Sequence, residues 1–294
     1  MSPQPSNSNL PAGLLLFFGL LGQREFWSGL LGRPDFWLKL TLAPSLVAVA
    51  TLLGRRFGQI AAGLVAGLPI VAGPILYFYA KEQGPDYASV AAVNTLLGLV
   101  SLSLFTVAYG WRAWSGGSPL SSLMLGWVAF AFGTILIRPL ILGHQPGLAL
   151  ALLFGLGSLF LAVRSLPPAQ AGEAAPAAAA SAWDLPLRLS VTVLLIYLLT
   201  SFAQRLGPVL GGLLTPFPVA STVLTVFAHR QGGSEAARSV LKGLLLALNS
   251  FAVFCAVLAL SLDPLGLAPA FGAALLAAAA VQAAMVWWQL KRQG

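Results

Sequence analysis

The chain has 294 residues, of which 58% are hydrophobic and only 8% are charged, and its formal net charge is +8. This composition is far from that of a soluble globular protein and leaves no room for a soluble domain of useful size. A basic surplus would suggest a nucleic-acid partner in a soluble chain, but these basic residues lie in short loops between apolar runs, as the positive-inside bias predicts. We therefore predict an all-α integral membrane protein with no nucleic-acid partner.

Residues 1–37 form an N-terminal segment with one candidate span. The apolar stretch 10–31 is long enough to cross a bilayer, which takes about 20 residues, but it would carry Arg24 and Glu25. Whether this stretch spans the membrane or inserts halfway is open. Residues 1–9 lack a positive region and a small-residue cleavage site, so no cleaved signal peptide is expected.

Two sets of clearer spans follow, separated by a linker. The first repeat half with its connecting helix, 38–164, has predicted spans at 38–53, 58–80, 87–110, 120–142 and 148–163. The second half, 187–294, has predicted spans at 187–202, 207–228, 237–262 and 265–289. The Ala/Pro-rich stretch 165–186 is predicted to be a mobile linker, because its composition offers no amphipathic face to pack. The total is nine or ten transmembrane helices.

The two halves are related by an internal repeat with a constant offset of 149 positions. Matched pairs are Asp35 and Asp184, Arg56 and Arg205, Gly63 and Gly212, Pro69 and Pro218, Phe78 and Phe227, and Gly84 and Gly233. Charged positions match as well as apolar ones, which favours a repeat over chance recurrence of Gly, Leu and Ala. Five spans separate the starts of the two copies. Because five is odd, the copies are predicted to have inverted topology.

Loop charges predict the orientation of the chain. Ten basic residues fall on one side: Arg55, Arg56, Arg112, Arg164, Arg188, Arg230, Arg238, Lys242, Lys291 and Arg292. The five on the other side are Arg24, Arg33, Lys39, Lys81 and Arg205. The first side is therefore predicted to be cytoplasmic, with the C-terminus on it, in a bacterial-type inner membrane.

Each copy contains a span that Gly and Pro interrupt near its middle. The predicted backbone breaks are Pro69, Gly73 and Pro74 in the first copy and Pro216 and Pro218 in the second. A proline inside a helix removes one backbone donor and clashes with the preceding turn. In hydrocarbon, the freed backbone groups need partners in protein or in a water-lined cavity. Inverted repeats with matched broken helices resemble the architecture of many secondary transporters, although no motif names a family. Ordinary kinks and the close packing of a small-xxx-small pair, Gly63 and Gly67, are the alternative interpretation.

A few polar residues lie within or beside the apolar spans. Thr215 and Ser221 place hydroxyls near the second break, and Asn94 and Asn249 lie in the span that follows each break. Such side chains either join helices or line a path, and the sequence leaves both roles open. Arg138 is the only charge well inside an apolar run. It either extends to the membrane surface or provides a counter-charge for an anion.

The absence of acidic residues from the middle of the predicted spans, and of known catalytic motifs from the sequence, narrows the possible functions. All eight acidic residues lie in loops or at span edges, which disfavours a cation held by a buried carboxylate. His144 and His229 lie at loop edges, and no HExxH, GxSxG or P-loop motif occurs. We therefore expect no enzyme activity, no metal site and no cofactor.

The leading hypothesis is a secondary transporter that works by alternating access. Its cargo is a small neutral or anionic solute, bound near the membrane midplane between the two broken helices. The expected partners are the lipid bilayer, this solute and a coupling ion, with sodium and proton both open. One alternative is a non-transporting accessory membrane subunit. Another is a lipid flippase or lipid-handling membrane enzyme that uses the cytoplasmic loops.

Overall fold

A computed structural model describes residues 34–69, 72–143, 146–169, 185–192, 194, 213 and 215–293. These residues form only helices and their connections, and five helices are long and apolar enough to cross a membrane. The protein is therefore a multi-pass helical membrane protein. The candidate span at 10–31 and most of the predicted linker lie outside the described residues.

Nine helical segments are described. They are α1 (Pro34–Phe57), α2 (Gln59–Ala66), α3 (Ala72–Gln83), α4 (Pro85–Trp114), α5 (Pro119–Gly143), α6 (Leu148–Ser165), α7 (185–192), α8 (Val219–Leu265) and α9 (Leu267–Gln293). The candidate membrane spans are α4, α5, α6, α8 and α9.

Helix α8 is divided by two glycines. Its 47 residues would extend about 70 Å at 1.5 Å per residue, more than twice the thickness of a bilayer's hydrocarbon core. The helical geometry fails at Gly232 and Gly233, and Gly233 has φ +70°, a conformation that glycine adopts without steric cost. These glycines separate an N-terminal arm, 219–231, from a C-terminal arm, 234–265. Gly84, 149 positions before Gly233, has φ +97° and separates α3 from α4.

Helices α4 and α8 form the buried centre, and α5, α6 and α9 pack around them with large apolar side chains exposed. Glycines on α5 permit close contact with α4, because Gly126 lies against the Phe105 ring and Gly133 lies against the backbone of Ser101. The order of these contacts makes α5 antiparallel to α4. In a membrane, small residues at helix contacts allow the van der Waals packing that holds helices together.

Helices α2 and α8 cross with their backbones in contact. A Cβ atom on Gly63 would overlap the Val240 carbonyl, and one on Gly243 would overlap the Ile60 carbonyl. One turn further on, Gly67 of α2 lies directly against Ala247 of α8. The Gly63–Gly67 pair therefore packs closely, as its spacing indicates, against a second small-xxx-small pair on α8.

We expect Gly63→Ala and Gly243→Ala each to lower the free energy of unfolding by about 1–3 kcal/mol, because the added methyl group forces the two backbones apart. The measurement is reversible unfolding in mixed micelles. The matched control is Gly157→Ala in α6, where a Cβ atom would meet no neighbour within 4 Å. Equal stability of all three variants would contradict the close crossing.

Candidate functional site

The chain turns between α2 and α3 at Gly67, Leu68 and Pro69. The last turn of α2 closes with the Gly67 N–H donating to the Gly63 carbonyl at 3.1 Å. Pro69 has no N–H to continue such a ladder, and its carbonyl instead accepts from the Gly73 N–H at 2.7 Å. Helices α2 and α3 have only eight and 12 residues, so neither alone could cross a bilayer.

A second turn, residues 215–218, precedes α8. Pro218 occupies the N-cap position of α8 and its carbonyl accepts from the Thr222 N–H at 2.8 Å. The Phe217 ring packs against Trp127 and Phe130 of α5, with ring centroids 6.1 and 5.3 Å apart. The Trp127 indole N–H also donates to the Thr222 hydroxyl at 3.3 Å. Helix α5 therefore holds the second turn in place.

A cavity of about 50 Å³ lies between the two turns. Its lining residues are Ala66, Gly67, Leu68, Ala72, Leu102, Thr215, Pro216, Phe217, Pro218, Val219, Ala220, Ser221, Leu244, Leu248 and Phe251. The C-terminal end of α2 and the N-terminal end of α8 both reach this cavity. Helix C-termini carry partial negative charge and N-termini carry partial positive charge, so the cavity meets dipole ends of both signs.

Two close contacts flank the cavity, and the 149-residue offset exchanges them. Gly67 of the first turn lies against Ala247 of α8, while Pro216 of the second turn lies against Gly98 of α4. The offset carries Gly67 to Pro216 and Gly98 to Ala247. The first turn therefore packs on the C-terminal arm of α8 and the second turn on α4, two helices that the 149-residue offset places on each other.

The residues predicted at the breaks fall into two groups. Thr215, Pro216, Pro218 and Ser221 line the cavity. The other three residues are not among those that line it. Pro69 is buried in the turn at 67–69, and Gly73 and Pro74 are the second and third residues of α3.

The remaining predicted residues lie elsewhere. Asn94 is completely buried in α4 and its amide donates to the Val90 carbonyl at 2.9 Å. The Asn249 amide donates to carbonyls of its own helix, and Arg138 is exposed on α5. None of the three is among the lining residues of the cavity. Their roles in transport stay predictions.

Sequence reasoning missed the environment of Arg188. It counts this residue among loop charges, but the side chain on α7 is only 5% exposed. Its guanidinium lies 4.6 Å from the centroid of the Phe227 ring and donates to Gln231 at 3.2 Å and to Thr51 at 3.4 Å. The one signal in the sequence is that the offset pairs Arg188 with another cation, Lys39.

His229 also acquires a partner that the sequence does not indicate. Its Nδ1 lies 3.2 Å from the hydroxyl of Tyr109, and both side chains are buried between α4 and α8. The partners are 120 positions apart, so no local pattern links them.

Within the described part of the chain, no group of three or more His, Cys, Asp or Glu side chains is placed to hold a metal ion. Comparison with protein-family models, with curated proteins and with solved structures finds no match to this chain. Function must therefore be inferred from the cavity and the helices around it.

We expect Thr222→Val to lower the free energy of unfolding by about 0.5–2 kcal/mol, because it leaves the half-buried Trp127 N–H without its acceptor. Unfolding in mixed micelles measures the effect. Thr106→Val is the matched control, since the Thr106 hydroxyl donates only to a carbonyl of its own helix, that of Leu102. If the two variants were equally stable, the Trp127 bond would not be what holds the second turn.

Proposed function

We propose that the protein is a secondary transporter that carries a small neutral or anionic solute by alternating access. The observation that carries the proposal is that one cavity is lined by residues of both turns, 67–68 and 215–218. Interrupted helices are costly in a membrane unless their backbone groups find partners or line a cavity, and here they line a cavity.

The proposal includes two copies of inverted topology. In its support, the positive-φ glycines Gly84 and Gly233 occupy equivalent positions, and the contacts at the two turns exchange under the same offset. A further exchange supports it, because α3 contacts α9 through Tyr77 and Phe271 while the N-terminal arm of α8 contacts α5. Such exchange is expected of two copies related by a two-fold axis, and an odd number of spans between them requires inversion.

The chemistry of the cavity favours neutral or anionic cargo. The described residues that line it include no carboxylate, so a cation would find only hydroxyls and carbonyls there. The hydroxyls of Thr215 and Ser221 offer hydrogen bonds, and the N-terminus of α8 favours negative charge. A volume of about 50 Å³ exceeds the roughly 10–15 Å³ of cavity that one water molecule needs, but larger cargo requires the walls to move.

Two short helices are suited to that movement. Helix α3 lies between the first turn and Gly84, and the N-terminal arm of α8 lies between the second turn and Gly233. Each is a rigid segment with a non-helical junction at both ends. We propose that these two segments tilt in turn and open the cavity first to one side of the membrane and then to the other.

We expect Ala72→Cys and Ala220→Cys, made separately in a Cys255→Ala background, to react with membrane-impermeant thiol reagents from one side or the other as conditions change. Both alanines line the cavity and are 7% exposed. Reaction in oriented proteoliposomes is the measurement. Ala92→Cys is the buried control and Ser115→Cys the exposed control. Constant protection of both cavity positions under every condition would count against transport.

The accessory-subunit hypothesis makes a different prediction for the prolines. We expect Pro69→Ala and Pro218→Ala to change the sidedness of labelling at Ala220→Cys, because each restores an N–H and weakens a turn that bounds the cavity. If the breaks serve packing alone, the same substitutions change stability and leave the labelling pattern as it was. Thermal unfolding beside the labelling assay distinguishes the two.

A further inference from the structure

Tyr109 and His229 form a buried polar pair on the two central helices. The phenol oxygen lies 3.2 Å from Nδ1, and the rings meet edge to face with centroids 5.9 Å apart. Tyr109 has no exposed surface and His229 is 9% exposed. Histidine is the side chain whose ordinary pKa lies nearest neutrality, so it can gain or lose a proton under physiological conditions. The pair has no role in lining the cavity.

Two hydroxyls on the helices around this pair, those of Ser122 on α5 and Thr225 on α8, are buried and have no hydrogen-bond partner among the described residues. Gly126 packs on α4 one turn before Tyr109, and because α5 is antiparallel to α4, Ser122 comes to the level of Tyr109. Thr225 is one turn before His229 on the same helix. Burial of an unpaired hydroxyl costs free energy. This part of the bundle therefore contains two hydroxyl groups whose hydrogen-bonding capacity is unused.

Among the described residues, the charged groups at this end of the helices are almost all cations. They are Arg55 and Arg56 of α1, Arg112 of α4, Arg164 of α6, Arg188 of α7, and Arg230, Arg238, Lys242 and Glu235 of α8. Residues 119–137 of α5 include no charged residue. The one carboxylate among them, Glu235, lies 3.1 Å from the Arg238 guanidinium. A proton on His229 therefore adds a positive charge to a cationic region, and an approaching anion would offset it.

We propose that His229 binds the coupling proton of the carrier, so that the protein moves a proton together with an anionic solute. The inference rests on the proposed transport function and names its coupling ion. A hydronium ion gives its proton to the ring nitrogen that lacks hydrogen, so one N–H bond forms, one O–H bond of hydronium breaks, and water leaves. In the charged ring Nδ1–H donates to the Tyr109 oxygen, and the phenol hydrogen turns away from the ring.

The helices connect this pair to the cavity. Helix α8 carries Ser221 in the cavity wall and His229 two turns later. Helix α4 carries Leu102 in the wall and Tyr109 two turns later. The proton therefore binds between two helices that both line the cavity, and its charge acts on the separation between them. A change of charge at the pair biases that separation.

Two measurements test the assignment. The chain has two histidines, so His144→Gln leaves His229 as the only imidazole in nitrogen-15 and carbon-13 histidine spectra of the protein in lipid nanodiscs. We expect it to titrate reversibly in the folded protein. The second measurement is the labelling rate of Ala220→Cys in the Cys255→Ala background. Each rate is divided by that of exposed Ser115→Cys at the same pH, which removes the pH dependence of thiol reactivity.

We expect the labelling ratio to change by about tenfold across the midpoint seen by the spectra, since a pKa difference of one unit between two conformations changes their ratio tenfold. His229→Gln removes this change and His144→Gln retains it. Tyr109→Phe removes the oxygen that accepts from the charged ring, so it moves both midpoints to lower pH. A pair with a merely structural role would move neither midpoint.

Some outcomes would contradict the proton assignment, and another would contradict the carrier proposal. A His229 signal that does not titrate while the protein is folded overturns the proton assignment. So does a pH profile of labelling that survives His229→Gln or does not shift in Tyr109→Phe. In either case alternating labelling of the cavity still supports the carrier. If the positions at Ala72 and Ala220 never become reactive, the carrier proposal itself fails.

Discussion

Contact between the backbones of α2 and α8 is the constraint on which the cavity depends. Lipid tails are as apolar as leucine, so no hydrophobic gain draws two helices together within a bilayer. Close van der Waals contact must do so, and it is available at Gly63 and Gly243 because neither has a side chain. The crossing brings the end of α2 to Ala247 and so places the first turn opposite the start of α8.

The second turn reaches the cavity by an equivalent contact on the other central helix. Pro216 lies where a side chain on Gly98 would be, and Phe217 is held by aromatic rings of α5. Helices α4 and α8 thus each receive one turn, and the space that remains between the turns is the cavity. A change at either glycine contact would alter both the wall and the volume it encloses.

Buried polar side chains divide into those that bond within or between helices and those that lie at the cavity or in the Tyr109–His229 pair. Asn94 and Asn249 donate to carbonyls of their own helices, and Ser250 joins α8 to Gln282 of α9 at 3.0 Å. The intrahelical bonds satisfy the two amide donors and the Ser250 bond joins two helices, while Asn94 Oδ1 is buried with no hydrogen-bond partner among the described residues. The hydroxyls of the cavity lie where the central helices meet the two turns. The pair of Tyr109 and His229 lies between the central helices near their cationic end.

Sequence alone determined the membrane class, the helical character of the chain, and the small-residue character of Gly63 and Gly67. These follow from hydropathy and backbone propensity, which act between neighbours along the chain. Only the tertiary structure decided that both turns bound one cavity, that Asn94 and Asn249 stay outside its lining, and that Arg188 is buried. These depend on which helix faces meet, and lipid-facing and buried faces are equally apolar in sequence.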